Sequence, residues 1–89
     1  MQYEWNEKKR RRNIEKHGLD FTNIIQFQWD DALEAIDDRF DYGEERINAI
    51  GFLETRLVVV TYVERRDIIR VISLRKATNM EARLYHEYS

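Results

Sequence analysis

Lys16 and His17 stand side by side just ahead of Gly18, and His17 is one of only two histidines in the 89 residues. An imidazole exchanges its proton near neutral pH, and a neighbouring lysine adds a cation and a second proton carrier. Such a pair suits acid–base chemistry, although a histidine at a helix end also serves simply to complement the helix dipole. Three further groups have suggestive positions. Arg70 lies between Ile68 and Ile72, two residues away on either side, so in a strand it is half-buried and requires an anion. That anion is either a carboxylate of the chain, with Glu64 the nearest choice, or a phosphate gripped at two points; the internal pair is the preferred reading. Arg75 and Lys76 close the same segment, as solvated charges or as an electropositive rim. "YGEERI" (42–47) sets Glu44 and Glu45 beside Arg46, as a solvated turn, a general base, or a carboxylate that orients an arginine.

Several chemistries are excluded by what is missing. There is no cysteine, and two distant histidines do not make a transition-metal site. The Asp-rich segment lacks the spaced glycine and closing Glu of a calcium loop, and no glycine-rich phosphate cradle is present. No cofactor is implied. As an enzyme, the inventory fits metal-free cleavage of RNA, which needs a base for the 2′-OH, cations for the charge growing on phosphorus oxygens, and an acid for the leaving 5′-oxygen. DNA has no 2′-OH and is not cut by that route.

The charges are unevenly spread. "KKRRRNIEKHG" (8–18) carries six cationic side chains, while residues 30–45 hold eight carboxylates against Arg39 alone, a net −7 that leaves the other 73 residues at +5 within a total of −2. A basic body with one acidic arm suits a polyanionic partner on one side, and on the other a solvated loop or a landing place for a basic protein patch. No apolar run reaches the ~20 residues that span a bilayer, and the N-terminus has no signal-peptide core, so a cytoplasmic protein is expected.

These groups must be positioned by elements that follow closely on one another, because the chain has no proline and three glycines. Residues 1–89 are expected to form one domain. Tyr3–Trp5 reads as a short strand. Asn6 is an N-cap for a helix that carries the basic run to His17 and stops at Gly18. Asp20 is the N-cap of a second helix ending near Trp29, with Leu19 and Ile24 at staple spacing and Phe21, Ile24, Ile25 and Gln28 on one face. Leu33–Ile36 is a short strand. Residues 46–53, 56–63 and 67–76 are three stronger ones, joined by hairpins; the second is apolar on both faces, as a central strand should be. In the third, strict alternation places Arg70 with Leu74, and Val71 with Ser73 and Arg75. Thr78 and Glu81 form a capping box for a last helix, along which Met80, Leu84 and Tyr88 recur at helical spacing. The fold class is α+β, in the order β-α-α-(β)-β-β-β-α, with helices packed on an antiparallel sheet.

Read in order, "YEWN", Lys9, Asn13, "KHGLDF", "GEER" leading into "INAIG", "LVVVTYVER", "RVISLRKAT" and "EARLYHEY" resemble the BrnT family over essentially the whole chain. The resemblance implies a RelE-like ribonuclease fold and the toxin half of a type II toxin–antitoxin pair that blocks translation. It also implies neutralisation by a BrnA-like antitoxin, through which alone DNA is reached. On its motif positions, Lys16, His17, Glu45, Arg70 and Arg75 are expected to be catalytic. Lys9, Arg10, Arg46, Arg65, Ser73, Lys76 and Tyr85 are expected to contact RNA. The chain departs from the family in having Arg10, Arg11 and Arg12 where small residues are common, and "ISLR" where "ISAR" is usual. The competing reading is a non-catalytic module that binds RNA or protein only within a complex.

Overall fold

The computed structural model describes residues 1–39 and 43–88. Phe40, Asp41 and Tyr42, and with them part of the acidic arm and of the turn before residue 46, lie outside the described residues, as does Ser89. Five strands form one sheet: β1 (Gln2–Glu4), β2 (Leu33–Asp37), β3 (Arg46–Leu53), β4 (Arg56–Arg65) and β5 (Ile68–Lys76). Helix α1 (Glu7–His17) follows β1, and α2 (Asn79–Tyr88) closes the chain. The strand order is β1-β5-β4-β3-β2. β4 is therefore central, and its residues 58–63 are all buried, as its two-faced apolar sequence requires.

The α+β class stands, but the sheet is mixed. β2, β3, β4 and β5 are antiparallel, whereas β1 runs parallel to β5, with Gln2 opposite Ile68 and Glu4 opposite Arg70. Hairpins impose the antiparallel sense only on strands joined directly. β1 reaches β5 across more than sixty residues, so local turn chemistry says nothing about its direction.

The second expected helix is not an α-helix. Asp20 does cap it, accepting from the Thr22 backbone N–H at 3.0 Å, but Phe21–Gln26 is a 3₁₀ segment, followed by another at Trp29–Asp31. Thr22, Asn23 and the β-branched Ile24–Ile25 pair are weak α-formers. A three-residue turn instead aligns Phe21, Ile24 and Phe27, which are all buried, and turns Ile25 out to 74 % exposure. With Leu19, these side chains fill one face of the sheet against Ala49, Leu53, Val58, Val60, Tyr62, Ile69, Val71 and Leu74. On the opposite face Ile50, Val59 and Tyr85 form a smaller cluster under α2.

Along β3 the expected alternation holds: Ala49 and Leu53 enter the larger core, and Ile50 with Phe52 the smaller one. Along β5 it fails. The pairing with β4 slips at Thr61/Tyr62, so that Thr61 faces Ser73 and Tyr62 faces Val71. Ile72 is the extra residue of a β-bulge. The bulge returns Leu74 to the core face of Ile69 and Val71, and sends Ser73 and Arg75 to the face of Arg70. Helix α2 also departs from its periodic reading. Met80 and Tyr88 are exposed at 70 % and 67 %, and the helix is anchored through Tyr85, one residue out of that phase. None of the described helices is long and apolar enough to cross a membrane.

Candidate functional site

Helix α1 is fixed at both ends by the residues its sequence provides. The Asn6 side chain accepts from Lys9 N–H at 3.1 Å, and Gly18 takes the left-handed conformation (φ 70°) while its N–H donates to the Ile14 carbonyl at 2.8 Å. The middle of the helix is held by Asn13, its one buried residue. The Asn13 amide donates to the carbonyls of Leu74 (2.7 Å) and Leu19 (2.9 Å), and its oxygen accepts from Leu74 N–H at 3.1 Å. β1 covers the β5 edge only as far as Arg70, so Asn13 takes the place of a strand residue beyond that point.

This docking opens a cleft of about 260 Å³ between α1 and the bulge, lined by Lys9, Arg12, Asn13, Lys16, His17, Ile72 and Ser73. Four of the expected site residues, Lys9, Lys16, His17 and Ser73, are thereby brought together. Burial, the Lys16 charge and the Arg75 charge together hold the His17 imidazole below its ordinary pKa, favouring the neutral form that accepts a proton. Arg75 lies near enough to act on His17, and is itself gripped by Glu81 through Nη1 and Nη2, each at 2.8 Å from a carboxylate oxygen. That pair raises the Arg75 pKa and lowers the Glu81 carboxyl to about 2.

The remaining expected residues do not reach this cleft. Arg70 lies at the far end of β5 and pairs with Glu4 of β1 at 3.1 Å, so its anion is internal, as preferred, but comes from β1 and not from Glu64. Glu64 stands opposite Ile69, on the other face of the sheet from Arg70. Arg65 pairs with Glu44, whose carboxyl is lowered chiefly by that bond and further by the charges of Arg65, Arg46 and Arg70. Glu45 is exposed and, with Glu44 and Arg65, lines a separate depression of about 360 Å³. The expected residues thus divide between two ends of β5: Lys9, Lys16, His17, Ser73 and Arg75 at one, and Glu45, Arg46, Arg65 and Arg70 at the other.

Two residues have occupations that their sequence positions did not reveal. Arg10 is held by Glu7 (2.7 Å) and Asp20 (2.9 Å), tying α1 to the 3₁₀ segment. Tyr85 is 6 % exposed, with its ring 5.5 Å from Phe52 in the smaller core. Lys76 is exposed at the strand end. Conversely, Glu4 and Glu81 were not among the expected site residues; the i, i+6 spacing of Arg75 and Glu81 across the capping box was the available signal. A larger surface concavity, about 670 Å³, opens elsewhere, along Met1, Gln2, Glu64, Arg66, Asp67 and Ile68, and contains none of these groups. Among the described residues no group of three His, Asp or Glu side chains is placed to hold a metal ion.

No curated protein matches the chain in a whole-sequence comparison. A family model does: that of the ribonuclease toxin BrnT of type II toxin–antitoxin systems matches residues 5–81, from Trp5 before the α1 cap to Glu81 beneath Arg75. That span leaves out β1 and takes in α1 and the strands β2 to β5, together with every residue that lines the α1–β5 cleft. The chain therefore belongs to the BrnT family of ribonuclease toxins of type II toxin–antitoxin systems.

Proposed function

We propose that the chain is a metal-independent endoribonuclease toxin whose chemistry takes place in the cleft between α1 and the β5 bulge. The observation that carries this reading is the meeting of His17, Lys16, Lys9 and Ser73 in one cleft, where burial and the charges of Lys16 and Arg75 lower the His17 pKa. A neutral imidazole removes the proton from a ribose 2′-OH. The 2′-oxygen then bonds to the adjacent phosphorus, and the bond from phosphorus to the 5′-oxygen breaks. The departing 5′-oxygen takes a proton from the Lys16 ammonium, leaving a 2′,3′-cyclic phosphate. Arg75 and Lys9 neutralise the charge that builds on the non-bridging oxygens, and Ser73 donates a hydrogen bond to one of them. Every group in this scheme belongs to the chain, and none requires a metal.

Arg70, Arg65 and Arg46, at the other end of β5, contact the flanking RNA backbone in this reading, and Glu45 is not its base. Lys76 extends the cationic rim. The RelE-like relationship implied by the sequence belongs to the same proposal, supported by a helix that delivers its C-terminal residues to the edge of three hairpin-linked antiparallel strands. The toxin acts on cytoplasmic RNA and so stops translation. A BrnA-like antitoxin neutralises it, and any DNA contact is the antitoxin's own. Support for a protein partner comes from family membership and from the unpacked apolar stripe Met80, Leu84 and Tyr88. This stripe borders a cleft that Asp30 and Asp31 make acidic, a surface suited to a basic amphipathic segment.

The deciding experiment is cleavage of a defined RNA in EDTA by the wild type, His17→Ala and Arg75→Ala. Cleavage by the wild type with cyclic-phosphate ends, reduced at least about a hundredfold in His17→Ala, is the expected result. Binding without cleavage would instead identify a non-catalytic RNA-binding module.

A further inference from the structure

Glu81 satisfies two separate demands with one carboxylate. As the last residue of the capping box it accepts from Thr78 N–H through Oε1 at 2.9 Å, while its own N–H donates to Thr78 Oγ1 at 3.2 Å. A capping box needs no more than this, and a glutamine performs it as well as a glutamate. The same Oε1 also accepts from Arg75 Nη1, and Oε2, which has no part in the cap, accepts from Arg75 Nη2. Both oxygens of a carboxylate that is only 23 % exposed are thus turned onto one guanidinium.

The consequences for Arg75 follow from its donor inventory. A guanidinium has five N–H groups in a rigid fork. Glu81 takes one from each terminal nitrogen, and the Lys76 carbonyl takes a longer bond from Nη1 at 3.4 Å. What remains is Nε–H and one Nη2–H, the adjacent pair along one side, which matches two oxygens of a phosphate. An unheld arginine would sample many rotamers and lose that freedom at each substrate encounter. The residue two positions ahead of α2 is tied to the sheet, since Ala77 N–H donates to the Leu57 carbonyl of β4 at 3.0 Å.

We propose that Glu81 is a positioning residue of the ribonuclease site: it holds the Arg75 guanidinium end-on, so that its open side is preset to receive the reacting phosphate. This rests on the reading of the α1–β5 cleft as the site of RNA cleavage. Helix α2, which contributes no residue to the cleft lining, becomes part of the catalytic apparatus through this one side chain.

The test separates the cap from the grip. Glu81→Gln keeps a capping acceptor but loses the charged two-point hold, whereas Thr78→Ala loses the cap and leaves the Arg75 pair in place. For each variant of the full chain we would measure the urea midpoint, kcat and KM on an RNA oligonucleotide, and the Arg75 Nε–H resonance by ¹⁵N NMR. Glu81→Gln is expected to lower the midpoint as the charged pair is lost, to show an averaged, fast-exchanging Arg75 resonance, and to lose about tenfold or more in kcat with KM little changed, because misplacement acts on the transition state. Thr78→Ala is expected to lower the midpoint while leaving the resonance and kcat alone. Wild-type kcat and an unaltered Arg75 resonance in Glu81→Gln would overturn the proposal, as would a midpoint loss equal to that of Thr78→Ala with no kinetic change. If the wild type does not cleave RNA, the cleavage reading fails, and the Arg75 resonance alone still decides whether Glu81 orders that side chain.

Discussion

Asn13 and Leu74 make a reciprocal pair of hydrogen bonds, amide to carbonyl at 2.7 Å and N–H to amide oxygen at 3.1 Å, through which a helix side chain stands in for a missing strand. The pair sets the distance between the end of α1 and the β5 bulge, and so the shape of the cleft between them. Asn13→Ala would leave three buried backbone groups without their partner. At about 1–3 kcal/mol for each unsatisfied group, a loss of several kcal/mol is expected, read as a fall in the urea midpoint. Asn13→Asp would still accept from Leu74 N–H but would face two carbonyl oxygens. Its folded pKa should be raised, so this variant should gain stability as pH falls.

The lowered His17 pKa has a kinetic counterpart. If neutral His17 is the base, kcat/KM should rise with pH along an acid limb centred below the ordinary histidine value of about 6.5. Arg75→Ala removes one of the charges that lower it, and should move that limb upward in pH. An NMR titration of the His17 ring in both proteins checks the assignment without reference to activity.

The basic run should behave as two populations. Lys8 and Arg11 are exposed, whereas Arg10 is engaged by two carboxylates. Lys8→Ala with Arg11→Ala should flatten the dependence of log K on log salt for single-stranded RNA by about 1.4, at roughly 0.7 for each phosphate contact. Arg10→Ala should leave that slope unchanged and lower the thermal midpoint. Filter binding at several salt concentrations distinguishes the two.

Acid should loosen the fold through two carboxylates. Asp37, whose side chain is 2 % exposed and is gripped by Arg39 at 2.9 Å, is lowered to about 2, as is Glu81. Both depressed values mean that the unfolded chain binds protons more readily. The stabilisation is therefore complete above about pH 5 and lost as pH falls towards about 2. Asp37→Asn should be less stable at neutral pH and show a shallower fall in stability across that window, measured by urea titration at each pH.

Gly51 is required by close approach and not by its backbone angle. A Cβ there would stand 2.7 Å from Phe27 Cζ, and the Phe27 ring is buried with its edge on Trp29, the ring centroids 4.7 Å apart. Gly51→Ala should cost about 1–3 kcal/mol by displacing that ring, and a Phe27→Leu background should recover part of the loss.

Local chemistry was legible in the residues themselves. Asn6, Gly18, Asp20 and the Thr78–Glu81 box mark their caps because each acts within a few positions of itself. The alternation in β3 and the two-faced β4 report burial directly. Asp20 could not show whether it opened an α-helix or a 3₁₀ segment, since both accept the same cap; packing of Phe21, Ile24 and Phe27 on the sheet chose the tighter turn. The candidate site divides in the same way. Lys16, His17 and Gly18 are neighbours in the chain, and their placement at a helix end could be read from it. That Arg75 joins them while Arg70 does not depends on the bulge at Ile72, on Glu4 arriving with a parallel β1, and on Glu81 returning from α2. The sequence by itself determined the β3–β5 strands, the caps and the stock of reactive groups, because those depend on contacts between near neighbours. Only the tertiary structure decided which arginine has which carboxylate, because each ion pair is a competition among charges that the chain brings together only after it has folded.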